Sequence, residues 1–168
     1  VTARLAQEVQ RVLADPAVKK RLAEMGADVA VHDLSFEAPA KYGEHTNLDE
    51  VVASFAPLGV RSVGVVGNIG DPAAVAQMRS RIAASLGAVD ILVNCAGGDI
   101  GASGNKPNPN DALHISYEDM TTLINNNLIG TMLVTQAFVP QMVERAAGTV
   151  INIASAAAHM GCSPEAVY

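Results

Sequence analysis

The chain has 168 residues, 49% hydrophobic and 17% charged, which fits one globular domain with a sizeable core and excludes a disordered chain. Its formal net charge of -6 argues against nucleic acid as a partner, because a general binder of phosphate backbones is basic. Two cysteines exclude a disulfide framework, and no apolar run reaches the roughly 18 residues of a membrane span. The sequence therefore predicts a cytoplasmic protein with no membrane segment.

Four nearly continuous apolar runs, rich in β-branched residues, predict strands buried on both faces. They cover residues 28–33, 61–66, 89–94 and 149–154. Helical patterns separate them at 48–56, 72–86 and 116–145. Asn47, Asp71 and Ser116 are placed to cap the starts of these helices. This alternation predicts an α/β fold with a doubly wound, Rossmann-like parallel sheet.

The first 25 residues differ from the rest. Apolar side chains recur at helical spacing within 3–14, and a second helical stretch at 15–25 is expected to stop at Gly26. No strand pattern precedes these helices. We therefore expect one partial domain over residues 1–168, with an atypical helical start at 1–25 and the Rossmann-like part at 26–168.

Small and polar residues follow the last two predicted strands. The segment 94–98 (NCAGG) comes after the third strand, and Ser155 comes after the fourth, thirteen residues before Tyr168. The carboxyl ends of parallel strands share one sheet edge, where open α/β folds bind ligands. Each feature alone is equally compatible with an ordinary turn, a turn-capping serine and a packed tyrosine.

Together these segments resemble the short-chain dehydrogenase/reductase family, in particular its members similar to 3-oxoacyl-ACP reductases. The segment 94–97 (NCAG) resembles the family's Asn-Asn-Ala-Gly motif, and 127–130 (NLIG) resembles its helix asparagine segment. The segment 151–155 (INIAS) resembles the strand that delivers the catalytic serine, with Tyr168 at the family's usual spacing. The resemblance covers about residues 21–168.

The resemblance implies an oxidoreductase that transfers a hydride between a nicotinamide cofactor and a small-molecule alcohol or carbonyl substrate. Tyr168 would be the general acid/base on the substrate oxygen, Ser155 would hydrogen-bond that oxygen, and Asn127 would anchor a water in a proton relay. The implied cofactor-binding residues are Asp33, Asn68, Ile69, Asn94, Ala96 and Gly97. Asp33 favours NAD over NADP, because a carboxylate there accepts both ribose hydroxyls and repels a 2′-phosphate. Capping of a turn is the alternative role for Asp33.

Two parts of the family's pattern have no counterpart in this sequence. A glycine-rich phosphate-binding loop is missing, since the first glycine is Gly26. The family's lysine four residues after the tyrosine would be residue 172. The chain as given is therefore expected to be inactive, and a non-catalytic fragment or fusion product is the alternative to an enzyme. A helical interaction module at 1–25 is a third hypothesis.

The same resemblance predicts that a central strand is absent. In the usual strand order 3-2-1-4-5-6, the strand before the phosphate loop lies between the strands at 28–33 and 89–94. Without it, each of these strands has an unpaired edge, which is costly inside a core. We therefore expect either direct pairing of the two strands or a poorly ordered amino-terminal half.

The remaining features give weaker signals. The histidines at 32, 45, 114 and 159 lack metal-ligand spacing, so we expect no metal site. Cys95 is expected to be buried at a strand end rather than to act as a reactive thiol. The loop at 105–111 is predicted to be exposed, with Lys106 and its neighbouring asparagines either touching a polar substrate or solvated. The family resemblance also implies a homo-oligomer, with the helix at 116–145 as one interface.

Overall fold

The computed structural model describes residues 23–41, 46–159, 165 and 167–168. The helices predicted at 3–14 and 15–25 lie outside these residues, apart from a helix end at 23–24. Gly26 follows that end with a φ of 86°, a left-handed conformation that glycine adopts at little cost. The predicted helix stop at Gly26 is therefore confirmed.

The described residues alternate between strands and helices, as predicted. The strands are β1 (Val29–Asp33), β2 (Ser62–Val66), β3 (Ile91–Asn94) and β4 (Thr149–Asn152). The α-helices are α1 (Ala38–Lys41), α2 (Leu48–Ala53), α3 (Pro72–Leu86), α4 (Tyr117–Ile124) and α5 (Gly130–Glu144). A π-helical segment, Asn125–Ile129, joins α4 to α5. Short 3-10 turns lie at Ala56–Leu58 and Ala156–His159.

The four strands form two separate parallel pairs. In the first pair Val29 to Asp33 of β1 align with Ser62 to Val66 of β2, and the second pair joins β3 to β4. Within the described residues β1 and β3 do not pair with each other, so the expectation of direct pairing is wrong. The alternative, a poorly ordered amino-terminal half, concerns in part residues 1–22, which lie outside the described residues.

Helices join the two strand pairs. Helix α3 packs on β2, helix α5 packs on β3 and β4, and the two helices pack against each other. Within the described residues the two pairs are therefore connected through their helices rather than through hydrogen bonds between β1 and β3.

Two hydrophobic clusters cover the strands. The first lies around β1, β2 and α2 and contains the buried residues Ala23, Val31, Leu48, Val51 and Phe55. The second spans both strand pairs through α3 and α5 and contains the buried residues Val65, Val75, Met78, Ile82 and Phe138, with Leu92 of β3 packed against it. The aliphatic core implied by the composition thus joins the two pairs into one unit.

The second strand pair is less buried than the sequence predicted. Every residue of β4 is exposed, and Ile91 and Val93 of β3 are 46% and 42% exposed. The prediction of burial on both faces is therefore wrong for these two strands. The reason is that, within the described residues, helices cover only one face of this pair, through α5.

The predicted helix starts are confirmed by side-chain hydrogen bonds. They run from Glu50 N to Asn47 Oδ1 (2.9 Å), from Ala73 N to Asp71 Oδ1 (2.8 Å) and from Asp119 N to Ser116 Oγ (3.0 Å). Each bond satisfies a backbone amide that has no partner inside its helix. Helix α2 ends at Ala53, three residues before the predicted end.

Leu48 provides a test of the first cluster. Its side chain is 1% exposed and packs against the backbone of Gly64 in β2. We expect Leu48→Ala to lower the free energy of unfolding by about 2–5 kcal/mol, because it leaves a cavity between α2 and the strand pair. The matched control is Leu113→Ala, since Leu113 is 87% exposed and its truncation should change stability by less than about 0.5 kcal/mol. Urea unfolding of the two variants measures both values, and equal losses would contradict the packing described here.

Candidate active site

The π-helical segment between α4 and α5 contacts the turns that follow both strand pairs. After β2, Gly70 lies against the side chain of Asn125 in the segment, and the side chain of Ile69 lies against Gly130, the residue after the segment. After β3, the backbone of Gly98 hydrogen-bonds to Asn127 within the segment. The carboxyl ends of β2 and β3 therefore lie at one edge, the position at which open α/β folds bind ligands.

Asn127 makes three side-chain hydrogen bonds at this edge. Its Oδ1 accepts from Gly98 N at 2.7 Å, and its Nδ2 donates to Gly98 O at 3.0 Å and to Leu123 O at 2.9 Å. Gly97 has a φ of 143°, and a side chain at this position would collide with Asn127 Oδ1. The close approach therefore requires glycine at 97, and π-helical turns of this kind are frequent at functional sites.

Asn94 is the most buried of the predicted site residues, with 9% of its surface exposed. Its Nδ2 donates to Thr135 Oγ1 at 3.1 Å and to Asn152 Oδ1 at 2.8 Å. The side chain thus links the ends of β3 and β4 to helix α5. Ala96 and Gly97, which follow it, are exposed at the edge, so the part of the motif accessible to a ligand is the turn rather than Asn94.

The predicted cofactor residues of the first strand pair lie at the ends of β1 and β2. Asp33 ends β1, and its Oδ1 accepts from Leu34 N at 2.7 Å. That bond is the turn-capping contact, and it occupies one carboxylate oxygen. Asn68 Oδ1 accepts from Gly70 N at 2.8 Å in a similar local turn, whereas Ile69 packs into the second hydrophobic cluster.

The predicted catalytic serine and tyrosine follow β4. Ser155 is half-buried three residues after the strand, and its Oγ accepts from Ala157 N at 3.1 Å. Tyr168 is half-buried and lies three residues after Glu165. Ser155 therefore occupies the same edge as the turn after β3, because β3 and β4 are parallel and adjacent.

The loop at 105–111 is exposed at four of its seven residues, so its predicted exposure is confirmed in part. Pro107 and Asn110 are buried rather than exposed, and Asn110 Nδ2 donates to both carboxylate oxygens of Asp99 at 2.9 Å. Lys106 Nζ lies 2.9 Å from Asp99 Oδ2 and 2.6 Å from Glu165 Oε1. Sequence analysis missed Asp99 and Glu165, and the only signal for them was that Asp99 directly follows the glycine turn.

Cys95 is exposed at the edge, so its expected burial is wrong. Successive residues of an extended segment point to opposite sides, and Asn94 occupies the buried side at this strand end. No cluster of three or more potential metal ligands occurs in the part of the chain that the structure describes. In the same part, no helix combines the length and apolarity needed to cross a membrane.

The model of the short chain dehydrogenase family matches residues 16–168. The chain belongs to the short-chain dehydrogenase family. This chain is 36% identical over 137 residues to (2S)-[(R)-hydroxy(phenyl)methyl]succinyl-CoA dehydrogenase subunit BbsD of Thauera aromatica, covering 82% of this chain and 48% of that protein. It is 27% identical over 152 residues to the 3-oxoacyl-[acyl-carrier-protein] reductase FabG of Staphylococcus epidermidis, covering 90% of this chain and 56% of that one.

Its fold is shared with solved members of the family. A crystal structure of NAD+-bound xylitol dehydrogenase superposes with a TM-score of 0.75 at 27% identity, over 91% of this chain and 53% of that one. The predicted Rossmann-like fold, incomplete relative to whole family members, is therefore confirmed. The chain spans about half the length of the curated relatives it matches.

The hydrogen bonds of Asn127 predict that its replacement lowers the free energy of unfolding more than replacement of the neighbouring Asn126. Asn127→Leu removes three hydrogen bonds and leaves the backbone of Gly98 without its partner. We expect a loss of about 2–4 kcal/mol in the free energy of unfolding. The control is Asn126→Leu, one residue away and half-buried on the same segment, which should cost less than about 1 kcal/mol. Urea unfolding compares the two, and similar losses would show that the Gly98 contacts are not specific.

Proposed function

We propose that the full-length protein is an NAD-dependent oxidoreductase that interconverts a small-molecule alcohol and the corresponding carbonyl compound. The observation that carries this proposal is the convergence of the turns after β2 and β3 on the π-helical segment, with Ser155 following the adjacent strand β4. That edge offers an exposed glycine turn, a hydroxyl and a carboxylate for a cofactor and a substrate. Membership of the family supports the reaction class.

The proposed chemistry divides between the cofactor and the chain. A bound nicotinamide cofactor supplies the hydride acceptor or donor. In the oxidation direction, Tyr168 Oη takes the proton from the alcohol hydroxyl, while Ser155 Oγ donates a hydrogen bond to the same oxygen and holds its position. In the reduction direction, Tyr168 returns a proton to the carbonyl oxygen. General acid/base groups of this kind contribute about 10²–10⁴-fold to rate.

Asn127 has a different proposed role from the one implied by family resemblance. Its side-chain amide is committed to Gly98 and Leu123, so we propose that it shapes the glycine turn on which the cofactor would rest. The water-anchoring role stays a prediction. Gly97 is exposed, and the absence of a side chain there leaves room for a ligand against the backbone.

Asp33 and Asn68 fit the ribose and adenine end of the cofactor. One oxygen of the Asp33 carboxylate caps its own turn, and a ribose hydroxyl would bind the other oxygen. The Asn68 amide uses its oxygen locally, so its Nδ2 group would be the donor toward a ring nitrogen. The negative charge of Asp33 is the basis for proposing NAD rather than NADP.

Replacement of the proposed acid/base tests the reaction class. In the full-length protein, Tyr168→Phe should lower kcat/KM by at least about a hundredfold for the oxidation of 2-butanol or cyclohexanol, because the phenol oxygen is lost. Tyr117→Phe is the matched control, since Tyr117 is 77% exposed at the start of α4, and it should retain wild-type turnover. NADH formation followed by absorbance measures both. Full activity of Tyr168→Phe would show that Tyr168 is not the general acid/base.

Replacement of the carboxylate tests the choice of cofactor. Asp33→Asn keeps the size of the side chain but removes the charge that disfavours a 2′-phosphate. We expect the ratio of kcat/KM with NAD to kcat/KM with NADP to fall by about tenfold or more, which corresponds to about 1.4 kcal/mol. Asp49→Asn, in the exposed first turn of α2, should leave the ratio unchanged. If neither variant changes this ratio, Asp33 does not select NAD over NADP and its proposed role is wrong.

Exposed apolar side chains support the proposal of a homo-oligomer. Ile124, Leu128 and Met132 recur every fourth residue along the α4–α5 helix and are 42%, 55% and 50% exposed. Such a stripe suits packing against the same helix of a second subunit. A cytoplasmic location stays a prediction from the cysteine content, and the alternative of a non-catalytic fragment or fusion product also stays a prediction.

A further inference from the structure

Lys106 joins two parts of the chain that are far apart in sequence. Its Nζ binds Asp99 Oδ2 at 2.9 Å, directly after the glycine turn of β3, and Glu165 Oε1 at 2.6 Å, three residues before Tyr168. The two carboxylates are 13% and 15% exposed, whereas the lysine side chain is half-exposed. The ammonium group is therefore shared between two carboxylates that water reaches poorly.

The Asp99 side of this contact is built rigidly. The Nδ2 group of Asn110 donates to both oxygens of Asp99, and Asn110 is 6% exposed. The Oδ1 atom of Asn110 is buried and has no hydrogen-bond partner among the described residues. An unsatisfied buried carbonyl costs free energy, and the fold tolerates it while the amide group holds Asp99 in one orientation.

The loop that carries Lys106 is itself fixed at two further points. Ala102 N donates to Asp119 Oδ1 at 2.9 Å, in the first turn of α4. Lys41 Nζ, at the end of α1, donates to Gly104 O at 2.9 Å. Lys106 thus extends from an anchored loop, and its contact with Glu165 connects that loop to the chain three residues before Tyr168.

We propose that Lys106 is a positioning residue, which holds Glu165 and thereby the segment ending in Tyr168 against the 99–111 loop at the edge of the site. The inference rests on the proposed function where it concerns turnover, and on contacts alone where it concerns the segment. The hydrogen bond from Lys106 to Glu165 is the main reason that the pKa of Lys106 is raised, so the ammonium stays charged at neutral pH.

Removal of the ammonium should do more than delete one contact. Asp99 and Glu165 would then be two negative charges with little access to water and no cation between them. Their repulsion would push the segment with Glu165 away from the loop. A displacement of about 1 Å at a reacting group costs up to about a hundredfold in rate. The tyrosine, rather than the cofactor site at the end of β1, is the part of the site that would move.

The test compares four variants of the full-length protein: Lys106→Met, Glu165→Gln, Lys106→Arg and the matched control Lys41→Met. Hydrogen exchange of the backbone amides at 165–168, followed by mass spectrometry, reports on the segment without any need for turnover. We expect Lys106→Met and Glu165→Gln to raise the exchange rate at least about tenfold. Lys106→Arg and Lys41→Met should remain near wild type. Arginine keeps the charge, and in Lys41→Met the contact with Glu165 is intact and the loop keeps its anchor at Asp119.

Turnover of 2-butanol or cyclohexanol with NAD is measured on the same variants. Lys106→Met and Glu165→Gln should lower kcat by about ten- to a hundredfold while the KM for NAD stays within about twofold of wild type, and Lys106→Arg should recover most of the loss. Equal exchange in Lys106→Met and wild type, or an equal rise in Lys41→Met, would overturn the proposal. Raised exchange with an unchanged kcat would also overturn it.

The two proposals fail in different ways. If wild-type protein oxidises no alcohol and reduces no ketone with either nicotinamide cofactor, the proposed function fails, while exchange at 165–168 still decides the role of Lys106. If Lys106→Met does not fold, Glu165→Gln decides. It removes the same ion pair but leaves Asp99 paired with Lys106, whereas Lys106→Met leaves two carboxylates without their cation.

Discussion

The paired hydrogen bonds between the Asn127 amide and the backbone of Gly98 are the contact on which the candidate site depends. They fix a glycine turn that has no side chain of its own with which to pack. The N–H and C=O groups of Gly98 meet the Oδ1 and Nδ2 atoms of one side-chain amide, so neither partner is left unsatisfied. Ile69 contacts Gly130, which directly follows the π-helical segment that contains Asn127, so this part of the helix relates the edge of one strand pair to the edge of the other.

The two strand pairs depend on the helices rather than on each other. A two-stranded sheet is marginally stable by itself, and here both pairs pack on the cluster they share with α3 and α5, while the first pair also packs on the cluster with α2. Phe138 of α5 and Met78 of α3 both belong to the shared cluster. The layer of helices therefore sets where the strand ends lie, and the strand ends in turn set where the site residues lie.

Local signals in the sequence were sufficient for much of the fold. The caps Asp71 and Ser116 act on amides two or three residues away, so their effect is visible in a short window of sequence. The strands were found from composition, but their burial was not, because exposure of β4 depends on what covers its second face. Composition alone does not contain that information.

The site was predictable only in outline. Strand ends and a family resemblance indicated Asp33, Asn127 and Ser155 as candidate residues, but not what their side chains contact. The contact between Lys106 and Glu165 joins residues that lie 59 positions apart in the sequence, and no periodicity or spacing predicts such a pair. The π-helical turn was equally hidden, because an apolar pattern at helical spacing does not distinguish a π-helical turn from the regular helix around it.

That π-helical turn limits which changes in length this chain tolerates. Each added or deleted residue in a helix rotates everything after it by about 100°, given 3.6 residues per turn. Between Asn127 and Phe138 such a change would move either the glycine contact or the core contact out of phase, and both are needed. The loop at 99–111 is under no such rotational constraint away from its anchor points. Divergence in chain length is therefore expected to accumulate in that loop, while the spacing from Asn127 to Phe138 stays fixed.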